Sequence, residues 1–428
     1  MTVVRLSGPR GAVDAVVPVP GSKSVANRAL MCAGLVAEAG ESHVRGVPGG
    51  DDCAAMVDAL MRCGAIRGDS VLGGTFPRGA EAFDAGIAGT TSRFLTAAAS
   101  LSVSGITIDG GEPLRRRPMA DLHTALRDLG AHVEPVDGAA PGHLPVRVSG
   151  GDLPGGSVSV RGDVSSQFIS ALMLVAPRMR DGLVIEVVGD LISRPYVEMT
   201  AEVMRRFGAD VSVSDRAIRV SPVAYRPTDY QVEPDFSSAA FPVMALAFVT
   251  GRVVVPGLGT ALLQGDSYVL DVARMMGLVV SSEGDNIVAS RSAGTVLSPV
   301  NVNLSDASDL VPAVAVACTA IPGRSTITGV GFIRAKESDR LGDLAAEMNS
   351  AGASVRVDED GLTIDGGTAL RPVRPFATHH DHRLAMAFSL PAACGQHIEI
   401  ADAEVVSKSW PTFFADMSGV LGVGNTLH

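Results

Sequence analysis

Met204-Arg205-Arg206-Phe207-Gly208-Ala209-Asp210-Val211 ends a helical pattern on a glycine and opens a strand. The glycine stands where a helix C-terminus takes a left-handed residue, and the alternating residues after it read as two strands around the turn Ser214-Asp215-Arg216. The same phrase recurs at Met61–Gly64, Leu126–Gly130, Met275–Gly277 and Met348–Gly352, with turn signals such as Glu283-Gly284-Asp285-Asn286 and Asp358-Glu359-Asp360-Gly361. From Gly64 through Gly130, Gly208 and Gly277 to Gly352 the intervals are 66, 78, 69 and 75 residues. A 428-residue chain holds six such units, the sixth falling in a degraded copy at Phe413–Leu421. The period is too long for a solenoid repeat of about 20–50 residues and fits a small α/β unit used six times. A helix–glycine–strand junction is common in α/β proteins, but five near-evenly spaced copies are more than that commonness explains.

Two extended proline-containing segments, Val16–Pro20 and Val232–Asp235, read as crossovers between domains. They divide the chain into a first three-unit domain, 21–233, and a second formed by residues 1–20 plus 234–428. The first twenty residues are expected to add a strand to the second domain. The fold class is therefore α/β, with two domains of three units each.

Composition narrows the partners. The 35 Lys+Arg against 46 Asp+Glu leave a formal net charge of −11, which argues against binding nucleic acid or an anionic membrane. The longest uncharged apolar runs, Ala239–Val249 and Leu310–Ile321, fall well short of the ~20 residues of a membrane span. Cys32, Cys53, Cys63, Cys318 and Cys394 form no CxxC pair and no zinc spacing, so a soluble cytoplasmic protein with free thiols is expected. Only three of the basic residues are lysine: Lys23, Lys336 and Lys408. A solvated lysine exchanges easily for arginine, whereas a site that needs a compact ammonium does not, so these three mark places to look.

Each lies in a motif. Pro20-Gly21-Ser22-Lys23-Ser24 precedes a helical pattern over Val25–Ala37 with Asn27-Arg28 in its first turns, a helix start where Ser24 can cap and an anion can bind. It lacks the spacing of a Walker loop. Gly86-Ile87-Ala88-Gly89-Thr90-Thr91-Ser92-Arg93 is a second glycine-rich approach to an apolar helix, and a plain tight loop explains it equally well. Asp163-Val164-Ser165-Ser166-Gln167 opens the uncharged helix 168–176, as an N-cap or as a neutral phosphate cluster. Ser193 and Tyr196 stand before the next helix, and Arg115-Arg116-Arg117-Pro118 is the densest basic run. In Arg334-Ala335-Lys336-Glu337-Ser338-Asp339-Arg340 a helix starting near Glu337 would put Glu337 and Arg340 one turn apart. That pairing is a surface ion pair or an acid–base carboxyl tuned by cations. Of Asp306 and Asp309, ahead of the uncharged run Ala313–Ile321, one is expected to cap that helix and the other to be spare. His379-His380-Asp381-His382-Arg383 looks like a metal cluster, but consecutive residues cannot converge on one ion. Asp381 capping a helix over 384–390, with Arg383 facing an anion, fits better and no metal is expected. Lys408 precedes Ser409-Trp410-Pro411 and is expected on a loop.

The set PGSKS…NR, AGT…R, RP, SSQF, SRPY, KESDR, DHR and KSWP resembles, in order and over Pro20 to Phe414, the enolpyruvyl transferases, specifically the branch acting on shikimate-3-phosphate. The resemblance implies an inverse α/β barrel in two domains, six βαβαββ units, and closure of the domains over shikimate-3-phosphate and phosphoenolpyruvate in the cleft between them. It implies no cofactor and no metal, and a monomer is expected. It implies that Lys23, Ser24, Arg28, Ser165, Ser166, Gln167, Ser193, Tyr196, Asp309 and Lys336 hold shikimate-3-phosphate. Phosphoenolpyruvate would lie among Lys23, Gly89, Arg117, Gln167, Arg340, Arg383 and Lys408. Asp309, through its D-x-x-P frame, resembles the carboxylate that takes the 5-hydroxyl proton, with Asp306 the other candidate, and Glu337 resembles the acid that protonates the methylene carbon; Lys23 joins them as catalytic.

Two positions depart from the family pattern: Ile87 where many members carry Asn, and Phe332 where some carry Asn. Gly89 is retained where Ala marks glyphosate-insensitive relatives, so sensitivity is expected. A sibling transferase acting on UDP-N-acetylglucosamine commonly carries a loop cysteine, and no Cys lies between Cys63 and Cys318. A catalytically silent paralogue is the remaining alternative, disfavoured by the retained Lys23, Asp309, Glu337 and Lys408.

Overall fold

The computed structural model describes residues 2–8, 11–259, 263–422 and 425–427. The repeat glycines take the expected conformation: φ is +66° at Gly64, +94° at Gly130, +87° at Gly208, +96° at Gly277 and +90° at Gly352. The degraded sixth copy keeps the same logic, since the short helices Phe413–Asp416 and Ser418–Leu421 end at Gly422 with φ +78°, ahead of the strand Asn425–Leu427.

The chain divides into two compact units, Gly21–Glu233 and residues 1–20 with 234–428. Among the described residues the strands form six small sheets, five of four strands and one of three. One plan serves the four-stranded sheets. The strand Ala82–Asp84 lies parallel to Ile106–Asp109, which is antiparallel to Val146–Ser149, which in turn is antiparallel to His132–Pro135. A parallel neighbour requires a crossover, and the helix between the first two strands supplies it. In the unit Gly21–Glu233 the strand Glu41–Arg45 takes its parallel partner from the far end of the unit, Asp229–Gln231. The first twenty residues contribute two strands rather than one to the other unit: Val13–Val16 pairs parallel with Gly251–Val255, and Val3–Ser7 pairs with His397–Ala401.

Strands such as Gly156–Arg161 alternate exposed and buried side chains, so each sheet turns one face to water. The inward faces pack on helices that carry almost no charge. In the unit Gly21–Glu233 these are Lys23–Gly34, Gly89–Ala99 and Ser166–Val175; in the other they are Phe236–Ala245, Val311–Thr319 and His382–Ser389, with every residue of the last three buried. Amphipathic helices such as Asp51–Arg62 and Arg194–Arg206 pack alongside. The arrangement is an inverse α/β barrel, with helices inside and strands outside. A polar side chain at the start of a buried helix has little alternative to pairing there, and this localises the chemistry.

Four local expectations are corrected. The first helix spans Lys23–Gly34, and Ser22 rather than Ser24 stands at its N-cap, without a side-chain cap bond. No helix starts at Glu337: a 3-10 turn ends at Ala335 and the next helix begins at Gly342. Neither Asp306 nor Asp309 caps the helix Val311–Thr319, whose approach is the 3-10 turn Ser308–Leu310. Lys408 is 1% exposed at the end of the 3-10 turn Ala403–Lys408, not on an open loop.

Candidate active site

In the unit Gly21–Glu233 three helix N-termini carry the candidates. Lys23 begins its helix and its Nζ lies 2.9 Å from Oδ2 of the buried Asp52. Thr91 donates to the backbone carbonyl of Asp52 at 2.7 Å, tying that acid to the helix Gly89–Ala99. Gly89, the first residue of this helix, lies against two guanidiniums: a Cβ placed on it would come 2.6 Å from Nη1 of Arg117 and 2.7 Å from Nη1 of Arg93. Arg93 also donates to the Gly89 carbonyl at 2.7 Å. The triplet of arginines thus separates by role, because Arg115 pairs with Asp109 and Arg116 with Glu112 at the surface while Arg117 turns toward Gly89.

The third helix, Ser166–Val175, is capped by Ser165, whose Oγ accepts from the Gln167 backbone N–H at 3.3 Å; Gln167 Nε2 donates to Thr90 Oγ1 at 3.2 Å. The capping interpretation of Ser165 therefore holds, and Gln167 links two of the helix starts. Arg28 is buried among helices: Nε donates to Thr200 at 2.7 Å, Nη1 to the Ser24 carbonyl at 2.7 Å, and Nη2 to Ser170 and the Tyr196 carbonyl at 3.3 Å. Its guanidinium also lies 5.3 Å from the Phe94 ring centroid, and burial lowers its pKa to about 10. Arg28 therefore ties together the backbone around Ser24 and Tyr196. Ser193 stands before the helix Arg194–Arg206 in a left-handed conformation, φ +52°.

In the other unit the candidates form one alternating array. Arg340, 1% exposed, donates from Nε to Asp381 at 2.8 Å, from Nη1 to Asp309 at 2.9 Å and from Nη2 to Glu337 at 2.6 Å. Asp309 also accepts from Arg383 Nη2 at 2.8 Å, and Lys408 Nζ lies 3.4 Å from Glu337 Oε1. Burial opposes the charge of Arg340, but Asp381, Glu337 and Asp309 outweigh it and raise its pKa. Asp381 does two things at once: one oxygen caps the helix His382–Ser389 through the Arg383 N–H at 2.9 Å, and the other holds Arg340. Asp309 is the acid inside the array, whereas Asp306 is exposed on the preceding turn. Lys336 Nζ lies 5.9 Å from the centroid of the Phe332 ring, so this departure from the family pattern supplies a cation–π support. The histidines diverge: His379 pairs with Glu347 at 3.2 Å while His382 is buried beside Asp381.

Sequence reasoning missed Asp52, the bridging role of Asp381, and Asp266. Asp266 is buried, accepts a hydrogen bond from Ser237, and has its pKa raised to about 7 by burial and by the charge of Asp309. Only the phrase Gln264-Gly265-Asp266 ahead of a helix could have drawn attention to it. Chemically, the array offers two carboxylates fixed by shared cations, able to take and give protons, beside cations placed for an anionic substrate.

The family model for EPSP synthase (3-phosphoshikimate 1-carboxyvinyltransferase) matches residues 8–417. The chain belongs to the EPSP synthase family. It is 41% identical over 409 residues to the 3-phosphoshikimate 1-carboxyvinyltransferase of Methanothermobacter thermautotrophicus, covering 94% of this chain and 95% of that one. To the enzyme of the same name from Edwardsiella ictaluri it is 35% identical, with 94% and 95% covered. The solved EPSP synthase of Acinetobacter baumannii superposes with a TM-score of 0.80 over 100% of both chains at 25% identity. The enolpyruvyl transferase NikO of Streptomyces tendae, at 16% identity and a TM-score of 0.75 over 99% of this chain and 98% of that one, shares the fold. The EPSP synthase family is thus reached from the motif order and from the family match, and the fold agrees with it.

Proposed function

We propose that the chain transfers the enolpyruvyl group of phosphoenolpyruvate to the 5-hydroxyl of shikimate-3-phosphate, releasing phosphate, and works as a cytoplasmic monomer in aromatic amino-acid biosynthesis. The observation that carries the reading is the sharing of Arg340 by Asp309 and Glu337, which holds two carboxylates of opposite assigned roles in one fixed array. Asp309 takes the 5-hydroxyl proton as the oxygen attacks C2 of phosphoenolpyruvate, and Glu337 gives a proton to C3, producing a tetrahedral intermediate. Glu337 then takes the proton back from C3 as the C2–O bond to phosphate breaks, and the phosphate leaves with the proton that Asp309 took from the hydroxyl, leaving the enol ether. Lys23, Arg117, Arg340, Arg383 and Lys408 stabilise the carboxylate and phosphate charges throughout. Shikimate-3-phosphate is held by Lys23, Ser24, Arg28, Ser165, Ser166, Gln167, Ser193, Tyr196, Asp309 and Lys336.

Phosphate release from phosphoenolpyruvate is measured with shikimate-3-phosphate and, separately, with UDP-N-acetylglucosamine. Release with the first acceptor alone is expected, and silence with it sinks the proposal. Glyphosate sensitivity belongs to the same reading and is supported by Gly89, whose missing Cβ lets the Arg117 and Arg93 guanidiniums lie against the helix start where a methyl group would displace them. Full activity at millimolar glyphosate would overturn it.

A further inference from the structure

The proposed chemistry uses the N-termini of the three buried helices of the unit Gly21–Glu233. Beyond the opposite ends of two of them, Gly89–Ala99 and Ser166–Val175, lies a cavity of about 560 Å³ that no step above employs, and Arg178 on its wall reaches the end of the third. Leu35 is the C-cap of the helix Lys23–Gly34, Leu101 follows the C-cap Ser100 of Gly89–Ala99, and Arg178 closes the 3-10 turn that continues Ser166–Val175. Arg78 and Arg178 line the cavity with Leu101, Ser102, Val103 and Ser104. The Ser102 and Ser104 hydroxyls lie 3.3 Å apart. The one acid on the wall, Asp152, is committed to Arg180 at 2.9 Å.

Among the described residues neither Arg78 nor Arg178 has a carboxylate partner. Arg178 gives one of its five N–H donors to the Leu35 carbonyl at 3.2 Å. Burial lowers the pKa of Arg178, and the charge of Arg78 lowers it further, so the two guanidiniums sit close enough to repel. A cation at a helix C-terminus offsets the negative end of the dipole, and that accounts for the Arg178–Leu35 contact. It does not account for Arg78, whose side chain makes no hydrogen bond among the described residues, or for the space between the two.

We propose that this cavity is a second anion site, distinct from the one built on the helix N-termini, which takes a small dianion between Arg78 and Arg178 with Ser102 and Ser104 as further donors. The volume lies within the ~300–1,000 Å³ of small-molecule sites. Leu101 and Val103, the latter 84% exposed, give the site an apolar wall suited to a dianion with a short organic body. Phosphate monoesters and dicarboxylates share this chemistry. Occupancy neutralises the arginine pair and ties the C-terminal ends of the three helices together.

Inorganic phosphate, phenyl phosphate and malonate are titrated calorimetrically into the full-length protein and into Arg78→Gln. Arg78 is exposed and its side chain makes no hydrogen bond among the described residues, so the variant is expected to keep its turnover and its unliganded melting temperature. Binding to the wild type that weakens about tenfold in Arg78→Gln is the expected result, as for loss of one charge-assisted contact. Val103→Asp, which adds a carboxylate at an exposed wall position, should weaken it similarly. A monoester that binds where malonate does not identifies the phosphate source, and the converse identifies the dicarboxylate. Equal affinities in wild type and both variants, or no binding of any probe up to about 10 mM, overturn the proposal.

Discussion

Arg340→Lys keeps a positive charge while removing the geometry that organises the acid–base array. Three nitrogens of Arg340 reach three carboxylates, Asp381 at 2.8 Å, Asp309 at 2.9 Å and Glu337 at 2.6 Å. A compact ammonium cannot span all three, so about two charge-assisted bonds are lost, at roughly 1.5–3 kcal/mol each. Each carboxylate keeps another partner: Asp309 retains Arg383 at 2.8 Å, Glu337 has Lys408 at 3.4 Å, and Asp381 has the Arg383 N–H at 2.9 Å. The loss therefore falls at the lower end, about 3 kcal/mol, below what abandoning a buried charge costs. For a domain of about 150–250 residues that lowers Tm by roughly 6–12 °C. Calorimetry at pH 7 reads the shift, and Arg340→Met, which leaves all three carboxylates without this cation, should melt lower still. A Tm for Arg340→Lys within about 2 °C of wild type would refute the claim that the three contacts hold the site.

The remaining predictions concern single groups. Glu337→Gln keeps the shape and one acceptor oxygen for Arg340 or Lys408, but its amide NH2 must face the other cation and it has no proton to give, so turnover should fall by about a hundredfold or more; near wild-type turnover removes Glu337 from the acid role. Lys408→Arg places a larger head in a position only 1% exposed and should cost about 1–3 kcal/mol by overpacking as well as activity, read by denaturant unfolding and steady-state rates. Lys23→Arg should likewise lower the steady-state rate, because Lys23 meets the buried Asp52 through a compact ammonium contact of 2.9 Å that a guanidinium would crowd. Asp266 should make stability fall as pH rises. Its folded pKa of about 7 stands above the ordinary 3.8, so between those values the folded state holds a proton that the unfolded state has lost. The stabilisation present below about pH 4 is lost progressively up to pH 7, at most about 4 kcal/mol over the window. Asp266→Asn should match wild type at pH 4 and exceed it at pH 7.5; parallel stability curves would contradict this.

Much of this architecture is legible in the sequence because local rules govern it. A helix that must end needs a left-handed residue, so Gly64, Gly130, Gly208, Gly277 and Gly352 mark the repeat through their spacing alone. Several of the candidate motifs are legible for a related reason, since those at Lys23, Gly89, Ser165 and Asp381 stand at the starts of buried, mostly apolar helices. Asp381 is readable as a cap because its bond to the Arg383 N–H is made within two residues. Expectations fail where the decisive partner is distant. Glu337 and Arg340 pair without the helix that their spacing suggests, because Asp309 and Asp381, 31 and 41 residues from Arg340, hold the guanidinium in place. Lys408 reads as a loop residue because its flanking residues are polar and proline-bearing, and the contact that buries its head against Glu337 comes from elsewhere in the chain.

The six-unit α/β plan, its glycine junctions and the residue types at each helix start are written in the order of the amino acids, since hydrophobic periodicity and backbone sterics act over a few residues. Which charges share a partner is decided only by packing. Packing separates Asp309 from Asp306 and Arg117 from Arg115 and Arg116, and it sets Asp266 beside Asp309 with a raised pKa. Desolvation and Coulomb energy depend on burial and on distances between groups far apart in the chain, and those exist only once the helices have packed.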